Sequence, residues 1–230
     1  MTSRAPADAT SPRPGPVPAP GWFGRDVLEV APDLLGGHLS ALTAEGRVTL
    51  RITEVEAYRG QDDPGSHSFR GRTERNSAMF GEPGRLYVYR HLGLHTCVNI
   101  VCGPAGLASA VLLRAGEVVD GADLARDRRC RTGVVSSDTQ IARGPARLAV
   151  ALGIDLSRYG AEVTDPGGAV VVHLSPRGVG GVIRTGPRVG VSGPGGDGAR
   201  YPWRFWLADE PTVSTYRRGD RRPGPSGTGS

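Results

Sequence analysis

Apolar and polar positions along the chain fall into short periodic runs separated by long polar stretches. After Trp22, VLEVAPDLLGGHL sets Val27, Val30, Leu34 and Leu35 near helical spacing, predicting a short helix with Pro32 in its first turn and Gly36 as its stop. Residues 38–43 and 47–57 alternate around a turn-like Ala-Glu-Gly and predict a hairpin. Leu50, Ile52 and Val55 do not keep one strict face, so a bulge or twist is expected near Thr53, re-aiming the acids that follow. Residues 59–85 lack periodicity and predict a long loop with at most short helical turns. Residues 86–90, 96–102 and 109–115 predict three further strands, joined by a tight turn at Leu92-Gly93 and by a Gly-Pro-Ala-Gly turn. Such short connections favour antiparallel pairing. Residues 120–131 and 144–152 predict helices covering the sheet, the second opening at Pro145 and ending at Gly153. Residues 170–174 and 188–191 predict late strands, and 201–207 an aromatic closing segment. The Pro/Ala-rich residues 1–20 cannot offset their ordering entropy by burial, and 211–230 form an Arg/Gly/Pro-rich stretch, so both are expected as flexible tails around one domain at 21–210.

Composition narrows the class. The net charge is +5, and because the chain has no lysine all 28 cations are arginine. Arginine forks onto phosphate, which favours a phosphate-bearing partner, although an arginine-only basic set also follows from the base composition of a genome. Cys97, Cys102 and Cys130 are too few for a disulfide framework and are expected as buried apolar residues in a reducing cytoplasm. No run approaches the ~18 apolar residues of a membrane span, and the N-terminus lacks the apolar centre of a signal peptide, so a soluble cytoplasmic protein with no membrane partner is expected.

The stretch from Arg51 to Cys102 concentrates the candidate chemistry. Glu54 and Glu56 share a face on a regular strand, where paired acids either divide acid and base roles or simply form a solvated face. Glu56 stands out because it ends the strand and is followed by Tyr58 and, in the arginine-bearing loop, His67. A carboxylate beside a stacking ring suits activation of water next to a flat ligand. His91, His95, Cys97 and Cys102 fit no common zinc spacing, and the cysteines sit in apolar runs that disfavour thiolates. The glycines of GPAGLAS and GPGGDG lack the strand-to-helix context of a phosphate loop.

The runs ITEVEAYRG, SHSFRGRTERNSAMFG, PGRLYVYRHLGLHTCVNIV, AVLLRAGE, GPARLAVALGI and PRVGVSG, in this order, resemble the 3-methyladenine DNA glycosylase family of the alkyladenine type. The resemblance covers roughly Phe23 to Leu207. It implies a single mixed α/β (α+β) domain with a curved, mainly antiparallel sheet, flanking helices and a protruding β-hairpin that enters the DNA minor groove. It implies base-excision repair of duplex DNA containing damaged purines, by a monomer that needs neither metal nor cofactor and is nucleoid-associated if bacterial. By the same resemblance Glu56 is the acid that activates water, and Tyr58, His67 and Tyr89 enclose the turned-out base. Tyr87 partners the histidine, Asn99 guards against the guanine amino group, and Arg114 lines the site. At the hairpin tip, where many relatives carry an intercalating tyrosine, this chain has Leu92, the candidate DNA wedge. Two other functions stay open at this point: a non-catalytic nucleic-acid-binding protein on the same fold, and a hydrolase of nucleosides or other small molecules.

Overall fold

Period-two alternation along four central strands separates an apolar face from a polar one, and the architecture follows from that division. The computed structural model describes residues 15–175 and 180–219. Its strands are β1 (His38–Thr43), β2 (Gly46–Arg59), β3 (Leu86–His91), β4 (His95–Cys102), β5 (Ser109–Asp120), β6 (Val170–His173), β7 (Ile183–Gly186) and β8 (Arg204–Leu207). They form one sheet in the order β3-β4-β5-β2-β1-β6, with β8 joining β2 and β7 joining β8. Every described strand pair is antiparallel, as the short connections predict.

On one face, Leu50, Ile52, Val55 and Ala57 of β2 meet Val98 and Ile100 of β4 and Val111 and Leu113 of β5, all buried. Three helices cover this face: α1 (Val27–Asp33), α2 (Ala122–Cys130) and α3 (Pro145–Leu152). Full burial of one such aliphatic side chain contributes about 1.5–3 kcal/mol, so this layer fixes which way the strands face. The intervening residues Glu54, Glu56, Tyr58, Tyr87, Tyr89, Asn99, Leu112 and Arg114 therefore fall on the opposite face. The sheet is mixed with helices in a single domain, as expected.

The predicted irregularity at Thr53 is present. The β2–β5 register shifts between Ile52 and Glu54 and again before Val55. Up to Arg51, β2 pairs with β1, and from Glu54 to Glu56 it pairs with β8 instead. The bulge lets one long strand change neighbours and carry both acids to the site.

Several local expectations are corrected. Asp26, not Pro32, opens α1: its side chain accepts from the Leu28 N–H, and Pro32 sits in the last turn. Residues 188–191 are not a strand, because the Val189 N–H is taken by the Glu56 carboxylate and Gly190 has φ +73°; the late strand is β7. Cys130 is exposed at the end of α2, whereas Cys97 and Cys102 are buried as expected. Residues 15–18, assigned to the first tail, run beside β6, with the Leu174 N–H bonded to Pro16 O at 2.9 Å and Pro18 buried. Likewise Thr212, assigned to the second tail, is buried and bonds to Thr53. The tail expectations for residues 1–14 and 220–230 lie outside the described residues.

Candidate active site

A cleft of about 790 Å³ opens on the polar face of the sheet, between the loop after β2 and the segment after β7. Tyr58, His67, Tyr87, Tyr89, Asn99 and Arg114 all line it. Tyr87 and Tyr89 come from β3, where period two puts both rings on the same side. Their rings stack at 5.3 Å and 22°, and His67 meets Tyr89 edge-on at 4.6 Å. His67 Nδ1 lies 3.3 Å from the Tyr87 hydroxyl. Partial burial, helped by the Arg75 and His91 charges, holds the His67 pKa below its ordinary value and favours the neutral imidazole. Burial pushes the Tyr87 phenol up to about 12 and raises Tyr58 and Tyr89 as well, so all three rings stay neutral. Asn99 is buried on β4, directly across from Tyr87, and its Nδ2 donates to Tyr87 O at 3.0 Å.

Behind these rings lies an ionic cluster with no solvent exposure at its two carboxylates. Glu56 Oε1 accepts from the Val189 N–H at 2.7 Å, and Oε2 accepts from the Tyr58 hydroxyl at 2.9 Å, with the Arg114 guanidinium 3.3 Å away. Glu54 sits one pleat behind, taking Nε–H bonds from Arg114 at 2.9 Å and Arg204 at 2.7 Å. Ser214 completes it with its backbone N–H at 2.7 Å and its hydroxyl at 2.9 Å. Burying a carboxylate without such partners costs several kcal/mol, so the pair of acids survives here only because donors meet each oxygen. The sequence reading of a shared face is correct; the alternative of a solvated face is not.

The structure brings six of the eight candidate residues to the cleft lining, sets Glu56 in the wall beside Tyr58, and puts Leu92 away from the lining at the β3–β4 tip. Leu92 is 71% exposed and has φ +50°, next to Gly93 at φ +73°, so the turn needs two left-handed residues and holds the leucine outward. Sequence reasoning missed Arg188, Asp63, Arg204 and Ser214. Arg188 and Asp63 form a fully buried, forked pair. The one available signal was an arginine inside the otherwise apolar PRVGVSG. Among the described residues no group of three or more His, Cys, Asp or Glu is arranged to hold a metal ion, and no helix is long and apolar enough to cross a membrane.

The sequence profile of the family described as methylpurine-DNA glycosylase matches residues 21–211. A protein of Streptomyces avermitilis, provisionally named a 3-methyladenine DNA glycosylase, is 53% identical over 197 residues, covering 85% of this chain and 90% of its own. One from Leifsonia xyli subsp. xyli, with the same provisional name, is 56% identical over 194 residues, covering 83% and 88%. A third, from Mycobacterium tuberculosis, is 45% identical over 202 residues, covering 85% and 95%.

Proposed function

Because the chain belongs to the methylpurine-DNA glycosylase family, we propose that it excises alkylated purines such as 3-methyladenine from duplex DNA by hydrolysis, leaving an abasic site. The observation that carries this reading is the Glu56 carboxylate, buried beside Tyr58 in the wall of a cleft lined by neutral aromatic rings. A base inside a duplex cannot reach such a cleft, so the nucleotide turns out of the stack, at a cost of roughly a few kcal/mol that is smallest for damaged pairs. Leu92 then fills the gap. Tyr58, Tyr89 and His67 enclose the base, and the electron-rich ring faces favour a cationic alkylated purine.

In the chemical step, water adds its oxygen to the anomeric carbon while the glycosidic C–N bond breaks and its electron pair leaves with the purine. The water proton passes to Glu56, whose charge also stabilises the oxocarbenium-like sugar. Arg114, 3.3 Å from Glu56, keeps the carboxylate aimed. Since an alkylated purine already carries positive charge, it departs neutral without an acid catalyst. The chain has no lysine to form a Schiff base with the sugar, which supports a monofunctional enzyme and leaves the N-terminal amine as the remaining candidate for such a bond.

Release of free base from a duplex holding one alkylated purine tests this reading. Glu56→Gln keeps the side-chain shape and removes the base, so excision falls by at least ~100-fold while lesion DNA still binds. In the wild-type reaction the product strand stays uncut until alkali is added. Near-normal excision by Glu56→Gln removes this residue from the mechanism, and no base release by the wild-type protein leaves the rival reading of a non-catalytic DNA-binding protein.

A further inference from the structure

Among the described residues Arg188 is the largest fully buried side chain, and it lies outside every motif role assigned so far. Its guanidinium joins three separate segments. One terminal nitrogen donates to Ala57 O, at the end of β2, at 3.0 Å and to Asp63 Oδ2 at 2.5 Å. The other donates to Asp63 Oδ1 at 2.7 Å and to Gly195 O at 2.9 Å. Asp63 starts the loop that carries His67, and its Oδ1 also takes the Gly65 N–H at 2.8 Å. The fit leaves no slack: a Cβ on Gly65 would lie 2.4 Å from the guanidinium, and one on Gly195 would lie 2.3 Å from the Gly65 nitrogen.

Two features point this clamp at the chemistry. The guanidinium carbon sits 4.6 Å from the centroid of the Tyr58 ring, with Trp203 and Tyr201 at 5.4 and 5.9 Å around it. The residue after Arg188 is Val189, whose N–H is the donor to Glu56 Oε1 at 2.7 Å. Fixing the guanidinium therefore fixes the backbone that holds one carboxylate oxygen, and backs the ring whose hydroxyl holds the other. A buried arginine serving stability alone has no need of either neighbour, and Arg128 is the comparison: also buried, it bonds Glu45, Thr43 and Ala151 O far from the cleft.

We propose that the Arg188–Asp63 pair is a positioning clamp for excision: it sets the direction of the Glu56 carboxylate through Val189 and the plane of the Tyr58 ring through stacking, and this rests on the glycosylase reading above. Lysine keeps the charge but cannot make the forked, stacked contact. Single-turnover excision at saturating protein reports the chemical step, and binding to a duplex with an abasic site reports recognition.

The expected result is that Arg188→Lys and Asp63→Asn, each checked for the folded state by near-UV circular dichroism, lose at least ~30-fold in the single-turnover rate while abasic-site affinity stays within about threefold. Arg128→Lys serves as a control that lowers thermal stability and leaves the rate near wild type. If a folded Arg188→Lys excises at near the wild-type rate, or if its whole loss lies in binding, the clamp is overturned. Should Arg188→Lys not fold, the shape-conserving Asp63→Asn decides by the same two readouts, and a loss of fold in both assigns the pair to stability alone. Absence of base release by the wild-type protein overturns the glycosylase reading itself, which a normal wild type with unaffected variants does not.

Discussion

Behind the cleft, each oxygen of Glu54 and of Glu56 is held by nitrogen or hydroxyl donors, whereas at the β3–β4 tip Leu92 and Leu94 are 71% and 79% exposed. A Cβ on Gly93, between the two leucines, would meet nothing within 4 Å. The back wall is over-determined and the front rim is nearly free of protein contacts. The difference matches the two demands of the proposed reaction. Directing a water at one carbon requires a carboxylate that cannot turn, and a wedge must find its contacts in DNA, so it cannot spend its apolar surface inside the protein.

The strongest way to break this comparison is to loosen the back wall. Glu54→Gln keeps the volume but leaves Arg114 and Arg204 facing a neutral amide. Removing one partner from a buried ionic cluster typically costs about 3–5 kcal/mol, a fall in melting temperature of roughly 6–20 °C for a domain of this size. Excision should fall with it, since Arg114 is then free to turn from Glu56. A melting curve within ~2 °C of wild type would show that the back wall is no more constrained than the rim.

The rim was far more legible in the sequence than the wall. Alternation in LYVYRH and HTCVNIVC assigns the strands, and a turn at Leu92-Gly93 follows from length and glycine alone. The acids at 54 and 56 and the bulge at Thr53 were readable because each is local to one strand, whereas the place of Asn99 beside Tyr58 and His67 came only from the resemblance to the glycosylase family. What was not readable is everything that closes the wall across long sequence separations. Arg188 meets Asp63 over 125 positions, and Ser214 meets Glu54 over 160. Val189 also looked like a strand residue because its apolar neighbours alternate, yet its N–H serves a carboxylate and not a ladder. Hydrophobic periodicity carries no information about a backbone amide whose partner is a distant side chain.

At the boundary between wall and rim, Asn99 is expected to set selectivity, at the modest cost in stability of one buried hydrogen bond. Its Nδ2 is tied to Tyr87 O, so the side chain cannot swing aside for a guanine amino group. Asn99→Ser shortens it and should raise release of undamaged guanine by roughly tenfold, within the range that one small steric change in a pocket supports. An unchanged ratio of damaged to normal base release would remove the guard role.

A change at the rim should act on DNA alone. Leu92→Tyr adds an aromatic face, and stacking on a base is worth about 1–3 kcal/mol, of which leucine already supplies its apolar share. About fivefold tighter binding to an abasic duplex and slower turnover are expected, with the melting temperature unchanged because the side chain projects from the turn. Equal abasic affinity in the two proteins would separate Leu92 from the wedge.

His67 belongs to both regions, since it is exposed at the mouth while its Nδ1 faces the Tyr87 hydroxyl, and it gives the smallest and most specific effect. Burial, then Arg75 and His91, hold its pKa below 6.5 in the folded protein. Between that lowered value and 6.5 the unfolded chain binds more protons, so the stability contributed by neutral His67 is complete above 6.5 and is lost as pH falls through this window. Activity should follow the same sign for cationic substrates. A protonated imidazole beside the Tyr89 ring would face a cationic 3-methyladenine or 7-methylguanine and repel it, whereas a neutral base such as hypoxanthine is indifferent to that charge. Any change in the attacking water acts on both classes alike, so the release ratio of cationic to neutral bases isolates the effect of the histidine. Acid also helps a neutral purine to leave, which lowers the ratio with no help from His67, so the informative quantity is the part of the fall that His67→Gln abolishes. A two- to threefold component between pH 7.5 and 5.5 is expected to disappear in that variant. If His67→Gln and the wild-type protein show parallel ratios across the range, the imidazole does not face the base and the mouth of the cleft is held by its tyrosines alone.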